Sequence, residues 1–378
     1  MADSPVGGIA IFLGELSGGG AEKVMVTLAN GIARRGHRVD LVLAVRRGPF
    51  LADVAPGVDC VDLEAGGTLR ALPRLVTYLR RRRPEAVLTT LHHTSLIALW
   101  AKWLAGSQAR LYMREANTPS AEQPATPRGR LLSRAARYAY PAADGVIAVS
   151  EGVAEDLRRL VPRCATRLNT IYNPVVGPEL FSKSRCRAEH RWFEEAGMRV
   201  ILAAGRLTVQ KDFATLIRAF ATLQDPDLRL LILGEGEERE RLQELVAALR
   251  LTERVELPGF VSNPYAYMAR ASLFVLSSRW EGMPGVLIQA MACGCPVVST
   301  DCPSGPSEVL NREELVPVGD HAALARAMER RLAAPAQRAS VAERVARFSE
   351  EESIDAYLAL LLGKRTDSAL LPAPAPEL

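Results

Sequence analysis

Short apolar runs alternate with helix-period stretches from Ile9 onward, and the alternation starts afresh near residue 200. Ile9–Leu13 reads as a strand, Ser17 to Gly20 as a glycine-rich turn, Ala21–Arg34 as a helix ended by Gly36, and Val39–Ala44 as the next strand. Further strands are expected at Ala86–Thr90, Leu111–Arg114 and Gly145–Ser150, with helices between them. Strand and helix in turn make a doubly wound parallel sheet. Ile171 to Val175 is extended and contains Pro174, which cannot continue a helix, so a domain boundary is placed there. After a charged connection to about Met198 come Val200–Ala204, Leu228–Leu233, Val255–Leu257 and Leu273–Leu276, the strands of a second sheet. With 378 residues the chain is long enough for two separate cores. The fold class is therefore α/β, two doubly wound parallel-sheet domains facing a cleft, with boundaries at 1–173 and 174–345.

Charge and composition narrow the partners. The net charge of +4 is small for this length, and the basic residues lie in arginine patches, which suits a local anionic partner. No RNA- or DNA-binding module is present in the pattern, so no nucleic acid is expected. The N-terminal MADSPVGG carries an acid and neither Lys nor Arg, unlike a secretory signal, and a cytoplasmic location is expected. The apolar helix Thr94–Gly106 is interrupted by Lys102 and too short to span a bilayer. Cys293, Cys295 and Cys302 cluster without a neighbouring His, so they read as small packing residues, not zinc ligands.

The densest chemistry lies between Ser277 and Leu310. A strand ends at Leu276, an acid follows at Glu281, and Met283, Pro284 and Gly285 turn the chain into a helix over about Val286–Cys293. Leu287, Ala290, Met291 and Gly294 share one packed face of that helix, and Gln289 lies off it. A helix start after a Pro-Gly turn presents backbone N–H groups to an anion. Earlier, Arg206 ends a strand and Lys211 precedes a helix whose buried face holds Phe213, Leu216, Ile217 and Phe220. Two cations at such a junction suit a diphosphate.

These motifs, Glu281 in WEGMPGVLIQ followed by ACGCPVVSTD, resemble family 4 of the retaining glycosyltransferases, nucleotide-sugar enzymes of GT-B fold with two Rossmann-like domains. The resemblance reaches to about Leu362 and is strongest from Gly205 to Glu308. It implies that Glu281 lies beside the hydroxyls of the donor sugar. It also implies that the N–H groups of Met283, Pro284, Gly285 and Val286 hold sugar and phosphate, and that Arg206 and Lys211 stabilise the leaving diphosphate without a metal or other cofactor. The family keeps a second Glu eight positions after the first, where this chain has Gln289. An amide retains an acceptor oxygen but loses the charge, so donor binding is expected to be weaker by about 1 kcal/mol. By the same resemblance, Gly19 and Gly20, in a Gly-Gly-x-Glu element with Glu22, contact the donor diphosphate or the acceptor, and backbone groups at Val261 meet the nucleobase. A His near the end of the strand Ala86–Thr90 contacts the transferred sugar; His92 is assigned to the site, with His93 the alternative. Arg114, in the sequence Arg114-Glu115-Ala116-Asn117 at another strand end, is assigned to the acceptor side, with a plain salt bridge as the bland reading. The last helix, within 346–363, is expected to cross back onto the first domain, and 364–378, rich in Pro and Ala, to be a disordered tail.

Two basic helices, Leu69–Arg83 ending in Arg80 to Arg83, and Arg128–Arg137, flank a helix with Trp100 and Trp103. Such faces suit an anionic membrane surface, with solvated helix faces as the alternative. The function expected is transfer of a sugar from a nucleotide-sugar donor, UDP-linked on family frequency, to a hydroxyl of a lipid-linked or polymeric glycan acceptor. The product would belong to cell-surface polysaccharide such as lipopolysaccharide or capsule. A nucleotide-sugar epimerase of the same shape and a non-catalytic binding relic are the alternatives.

Overall fold

Ile9–Leu13, apolar throughout, is buried along its whole length as β1 and stands in the interior of the first sheet. In the computed structural model, which describes residues 7–121, 131, 139–334 and 339–363, the chain divides into two units. Met1–Pro174 with Glu350–Leu378 forms one, and Val175–Ser349 the other.

In the first unit β1 is joined by β2 (Val39–Leu43), β3 (Asp59–Asp62), β4 (Ala86–Thr90), β5 (Arg110–Glu115), β6 (Gly145–Ala148) and β7 (Leu168–Thr170). The order is β3-β2-β1-β4-β5-β6-β7 and every pair is parallel. Helices α1 (Gly20–Arg34), α2 (Leu72–Arg82), α3 (His92–Ala105) and α4 (Glu151–Leu160) provide crossovers between strands. The strand β3, Asp-Cys-Val-Asp, gave no apolar signal in the sequence, because it is the sheet edge and keeps both aspartates exposed. The basic stretch Leu69–Arg83 is not one helix. A 3₁₀ turn covers Thr68–Ala71 and the α-helix starts at Leu72, since Pro73 is tolerated only in a first turn. Of the basic helix expected at Arg128–Arg137, only Leu131 is among the described residues, and the tail 364–378 lies outside them.

The second unit repeats the plan. β8 (Arg199–Ala204), β9 (Leu228–Leu233), β10 (Val255–Gly259), β11 (Leu273–Leu276), β12 (Val297–Thr300) and β13 (Leu315–Val316) are arranged β10-β9-β8-β11-β12-β13, again all parallel. The main helices are α5 (Phe213–Ala221), α6 (Arg239–Ala248), α7 (Gly285–Ala292), α8 (His321–Ala333) and α9 (Ala339–Ala346). Phe213, Leu216, Ile217 and Phe220 are buried against β8, β9 and β11, as the helical spacing predicts.

The last helix, α10 (Glu350–Leu361), belongs to the first unit. Its Ile354, Tyr357, Leu358 and Leu361 are buried with Leu28 and Ile32 of α1 and with β1 and β2. The return starts at Glu350, a few residues later than expected. Phe348 is still held in the second unit, its carbonyl accepting the N–H groups of Val175 at 3.1 Å and Val176 at 2.9 Å.

Candidate active site

Both sheets reverse their winding at one point, between β1 and β4 in the first unit and between β8 and β11 in the second. Open parallel sheets bind ligands outside the carboxyl ends of the strands at such a switch. In the second unit Arg206 follows β8, and Ser277 to Glu281 follow β11. The residues singled out in the sequence therefore come from the two strands that flank the switch.

Glu281 is buried, and its Oε1 accepts from Lys211 Nζ at 2.5 Å and from Ser278 Oγ at 2.6 Å. Two further bonds hold this pair in place. Ser277 Oγ donates to the Lys211 carbonyl at 2.8 Å, and Thr300 Oγ1 donates to the Ser278 carbonyl at 2.6 Å. Ser278 was not foreseen; a serine beside a strand end carries no distinguishing signal in one sequence. Arg206 is exposed, and among the described residues its guanidinium makes no hydrogen bond or ion pair. The two expected cations thus differ: Lys211 is bound to the acid, and Arg206 is available to an anion. Cys302 also lies close, and burial first, then the Glu281 charge, raise its thiol pKa, so it stays neutral.

The turn at the start of α7 donates less than expected. Pro284 has no N–H, and Gly285 donates its own to the Met283 carbonyl at 2.9 Å. The donation expected of the four residues therefore falls to Met283 and Val286. Gln289 is half-buried one turn into α7, with its Nε2 3.4 Å from the Tyr265 hydroxyl. Val261 is half-buried just beyond β10. Gly234, with φ of +135°, and Gly236 bring the loop after β9 against the loop after β8. A Cβ at Gly234 would collide with the Gly205 carbonyl and one at Gly236 with that of Leu207. The Gly-Glu-Gly turn is therefore a packing device beneath Arg206.

In the first unit Gly19 caps α1 and Gly20 opens it, with empty space where a Gly20 side chain would stand. Glu22 is buried and accepts from Ser17 Oγ at 3.3 Å. Leu91 takes φ of +73°, a strained value for a branched side chain, and turns the chain so that His92 and His93 start α3 directly after β4. His92 Nδ1 lies 3.3 Å from the Tyr140 hydroxyl and 3.6 Å from Glu115 Oε2, and Tyr140 in turn donates to Glu115. His93 faces a separate cavity with Thr68 and Arg70. Arg114 is placed otherwise than expected. It is buried, and its guanidinium donates to the Tyr357 hydroxyl at 3.1 Å, Thr90 Oγ1 at 3.0 Å and Asn173 Oδ1 at 2.6 Å. With all three nitrogens engaged it ties β5 to α10 and to the end of the domain, and an acceptor role finds no support. Among the described residues no three His, Cys, Asp or Glu side chains group to hold a metal ion.

Family models match both units, "Glycosyltransferase Family 4" over residues 18–176 and "Glycosyl transferases group 1" over 187–348. An N-acetylgalactosaminyltransferase of Campylobacter jejuni that acts on a diphospho-undecaprenol-linked sugar is 31% identical over 317 residues. That alignment covers 81% of this chain and 84% of the relative. The chain belongs to the family 4 glycosyltransferases. Solved structures agree on the fold of this glycosyltransferase. Sucrose-phosphate synthase from Thermosynechococcus elongatus matches with a TM-score of 0.79 and 24% identity, covering 95% of this chain and 99% of that one. Anabaena Alr3699/HepE, solved in complex with UDP-glucose, matches with a TM-score of 0.76 and 21% identity over 93% and 99%. The two parallel-sheet units of this glycosyltransferase are those of the GT-B fold.

Proposed function

We propose that this glycosyltransferase works with retention, moving a sugar from a UDP-linked donor to a hydroxyl of a lipid-linked or polymeric glycan in cell-surface polysaccharide synthesis. The observation that carries the reading is the cluster at the switch of the second sheet, the Lys211–Glu281 pair together with Arg206, whose guanidinium makes no hydrogen bond or ion pair among the described residues. The bond from the anomeric carbon to the β-phosphate oxygen breaks as the acceptor oxygen bonds to the same face of that carbon. The acceptor proton passes to the departing phosphate oxygen, so no separate base is required. Negative charge grows on the diphosphate, and a preplaced Arg206 and Lys211 stabilise it more in the transition state than in the ground state. Glu281 orients Lys211 and receives hydroxyls of the donor sugar. In this mechanism His92, oriented by Glu115 and Tyr140, contacts the transferred sugar, and no metal is needed. The Campylobacter relative's name, with its α-linkage and undecaprenyl diphosphate acceptor, supports retention and a lipid-linked acceptor.

A membrane site of action is part of the reading. Trp100 and Trp103 are 57% and 78% exposed on α3, and Leu104 continues the patch. Arg80, Arg81 and Arg83 at the end of α2 are exposed beside it, and Arg80 donates to the Leu104 carbonyl at 2.8 Å. Aromatic rings next to arginines suit an anionic headgroup layer, each charge contributing about 1 kcal/mol. The association proposed is peripheral, at the cytoplasmic face; among the described residues no helix is long and apolar enough to cross a membrane.

Incubation with a panel of UDP- and GDP-sugars, with free nucleoside diphosphate as the readout, tests the transfer reading. We expect UDP release from one donor, unchanged by EDTA and lost in Glu281→Ala and Lys211→Ala. Release that requires a divalent ion, or that survives both substitutions, would overturn the mechanism.

A further inference from the structure

The first sheet has its own switch, between β1 and β4, and an open cavity of about 410 Å³ lies at that end of the unit. It is lined by Gly66, Gly67, Thr68, Leu69, Arg70 and His93. We propose that this cavity receives an anionic group of the glycan acceptor, a phosphate or a carboxylate, and that Arg70 selects charged over neutral acceptors. The inference rests on the transfer reading above and names the substrate class at its acceptor side.

Three chain segments meet there. Gly14 directly follows β1, and a Cβ built on it would stand 2.7 Å from Thr68 Oγ1 and 3.9 Å from His93 Nε2. Glycine at 14 is what lets the loop after β3 close over the end of β1 and stand beside the start of α3. The switch crevice is thereby floored by backbone and a hydroxyl and walled by a histidine.

Charge identifies the occupant. Among the described residues no carboxylate lines the cavity, and the ionisable side chains that do are Arg70 and His93. Arg70 is exposed, and among the described residues its guanidinium makes no hydrogen bond or ion pair. Other cations of the unit are engaged, Lys23 with Asp53 at 2.8 Å and Arg74 with the carbonyls of Leu63 and Glu64 at 2.5 Å. The Arg70 guanidinium folds back over the glycine turn, with Nη1 4.0 Å from the Cβ position of Gly66. An exposed planar fork over bare backbone fits bidentate contact with a phosphate or carboxylate. Leu69, 45% exposed on the same rim, offers the apolar face on which a sugar ring packs.

Calorimetric titration of the full chain decides the matter, with UDP present at saturation to occupy the donor site. The probes are glucose 1-phosphate, glucuronate, glucose and inorganic phosphate. We expect at least one charged sugar to bind tenfold or more tighter than glucose, and the tighter of the two identifies the anion. Arg70→Ala should abolish the difference and Arg70→Lys restore part of it, while UDP affinity stays the same in all three proteins. A preference unchanged in Arg70→Ala, equal binding of charged and neutral sugars, or inorganic phosphate binding as tightly as the sugar phosphate would each overturn the assignment. Absence of UDP binding in the unsubstituted protein would instead strike the donor reading, so the two failures are separable.

Discussion

Arg206 and Lys211 lie five residues apart with the same charge, yet their surroundings assign them different work. Lys211 neutralises a buried carboxylate, so its loss leaves the buried Glu281 charge without its bonded cation. Breaking one side of such a pair costs about 3 kcal/mol. Arg206 is exposed and, among the described residues, unpaired, and truncating it should change stability by less than about 0.5 kcal/mol. Its loss should still lower kcat/KM by about 10²- to 10³-fold, the scale for removing one preorganised charge-stabilising group. Thermal melts and steady-state kinetics on Arg206→Ala and Lys211→Ala separate the two: the first variant should lose rate at full stability, the second should lose both. A pair of equal melting temperatures would mean that the Lys211–Glu281 bond is not holding the site. Arg114 shows the opposite outcome for an arginine at a strand end. Three polar partners inside the domain engage all three of its nitrogens, and nothing in a single sequence distinguishes that setting from an open one.

At the level of elements, helix α1 carries a glycine in its interior, Gly31, where helix propensity alone favours alanine by about 1 kcal/mol. The reason is α10. A Cβ at Gly31 would collide with Ile354 Cδ1, so the glycine sets how closely the two helices approach. Forcing a methyl into a packed contact costs about 1–3 kcal/mol, which outweighs the propensity gain. Gly31→Ala should therefore lower the denaturation midpoint, and Gly31→Ala with Ile354→Val should recover part of the loss. A more stable single variant would show that the contact yields easily. The same limit explains what pattern reading missed among the elements. Edge strand β3 has no apolar period because one side of it is solvent, whereas α5, buried along one stripe, was legible in its four large core residues.

For the molecule as a whole, the last helix closes the core of a unit whose other residues precede it by more than a hundred positions. Ile354, Tyr357, Leu358 and Leu361 are all buried, and each large apolar side chain removed from water contributes about 1.5–3 kcal/mol. Together they are worth roughly 8 kcal/mol, comparable to the entire stability of a typical domain. The ion pairs of Arg34 and Arg35 with Glu350, Glu351 and Asp355 lie at the surface and add little to this. A chain ended before Glu350 should leave the first unit open to limited proteolysis while the second stays resistant. Equal resistance of both units, read by mass spectrometry of the fragments, would show that α10 is dispensable.

Periodicity and punctuation, which are local, determined most of the architecture. The sequence by itself showed two βα repeats, the break at Pro174, the helix after Gly285, and the acid and two cations that stand at strand ends. A strand end is where a parallel sheet exposes its ligand-binding edge, and the family motif joined Arg206 and Lys211 to Glu281, of which the structure bonds Lys211 to the acid. Only the tertiary structure decided which of these charges are paired. It bonds Lys211 to Glu281, gives Arg206 no partner among the described residues, takes Arg114 into the interior and gives the N–H of Gly285 to its own turn. It also separates His92, held by Tyr140 and Glu115, from His93 at the cavity with Arg70. Those outcomes depend on atoms from segments far apart in the chain meeting within about 3 Å, the range over which a hydrogen bond forms. Sequence spacing carries no information at that resolution.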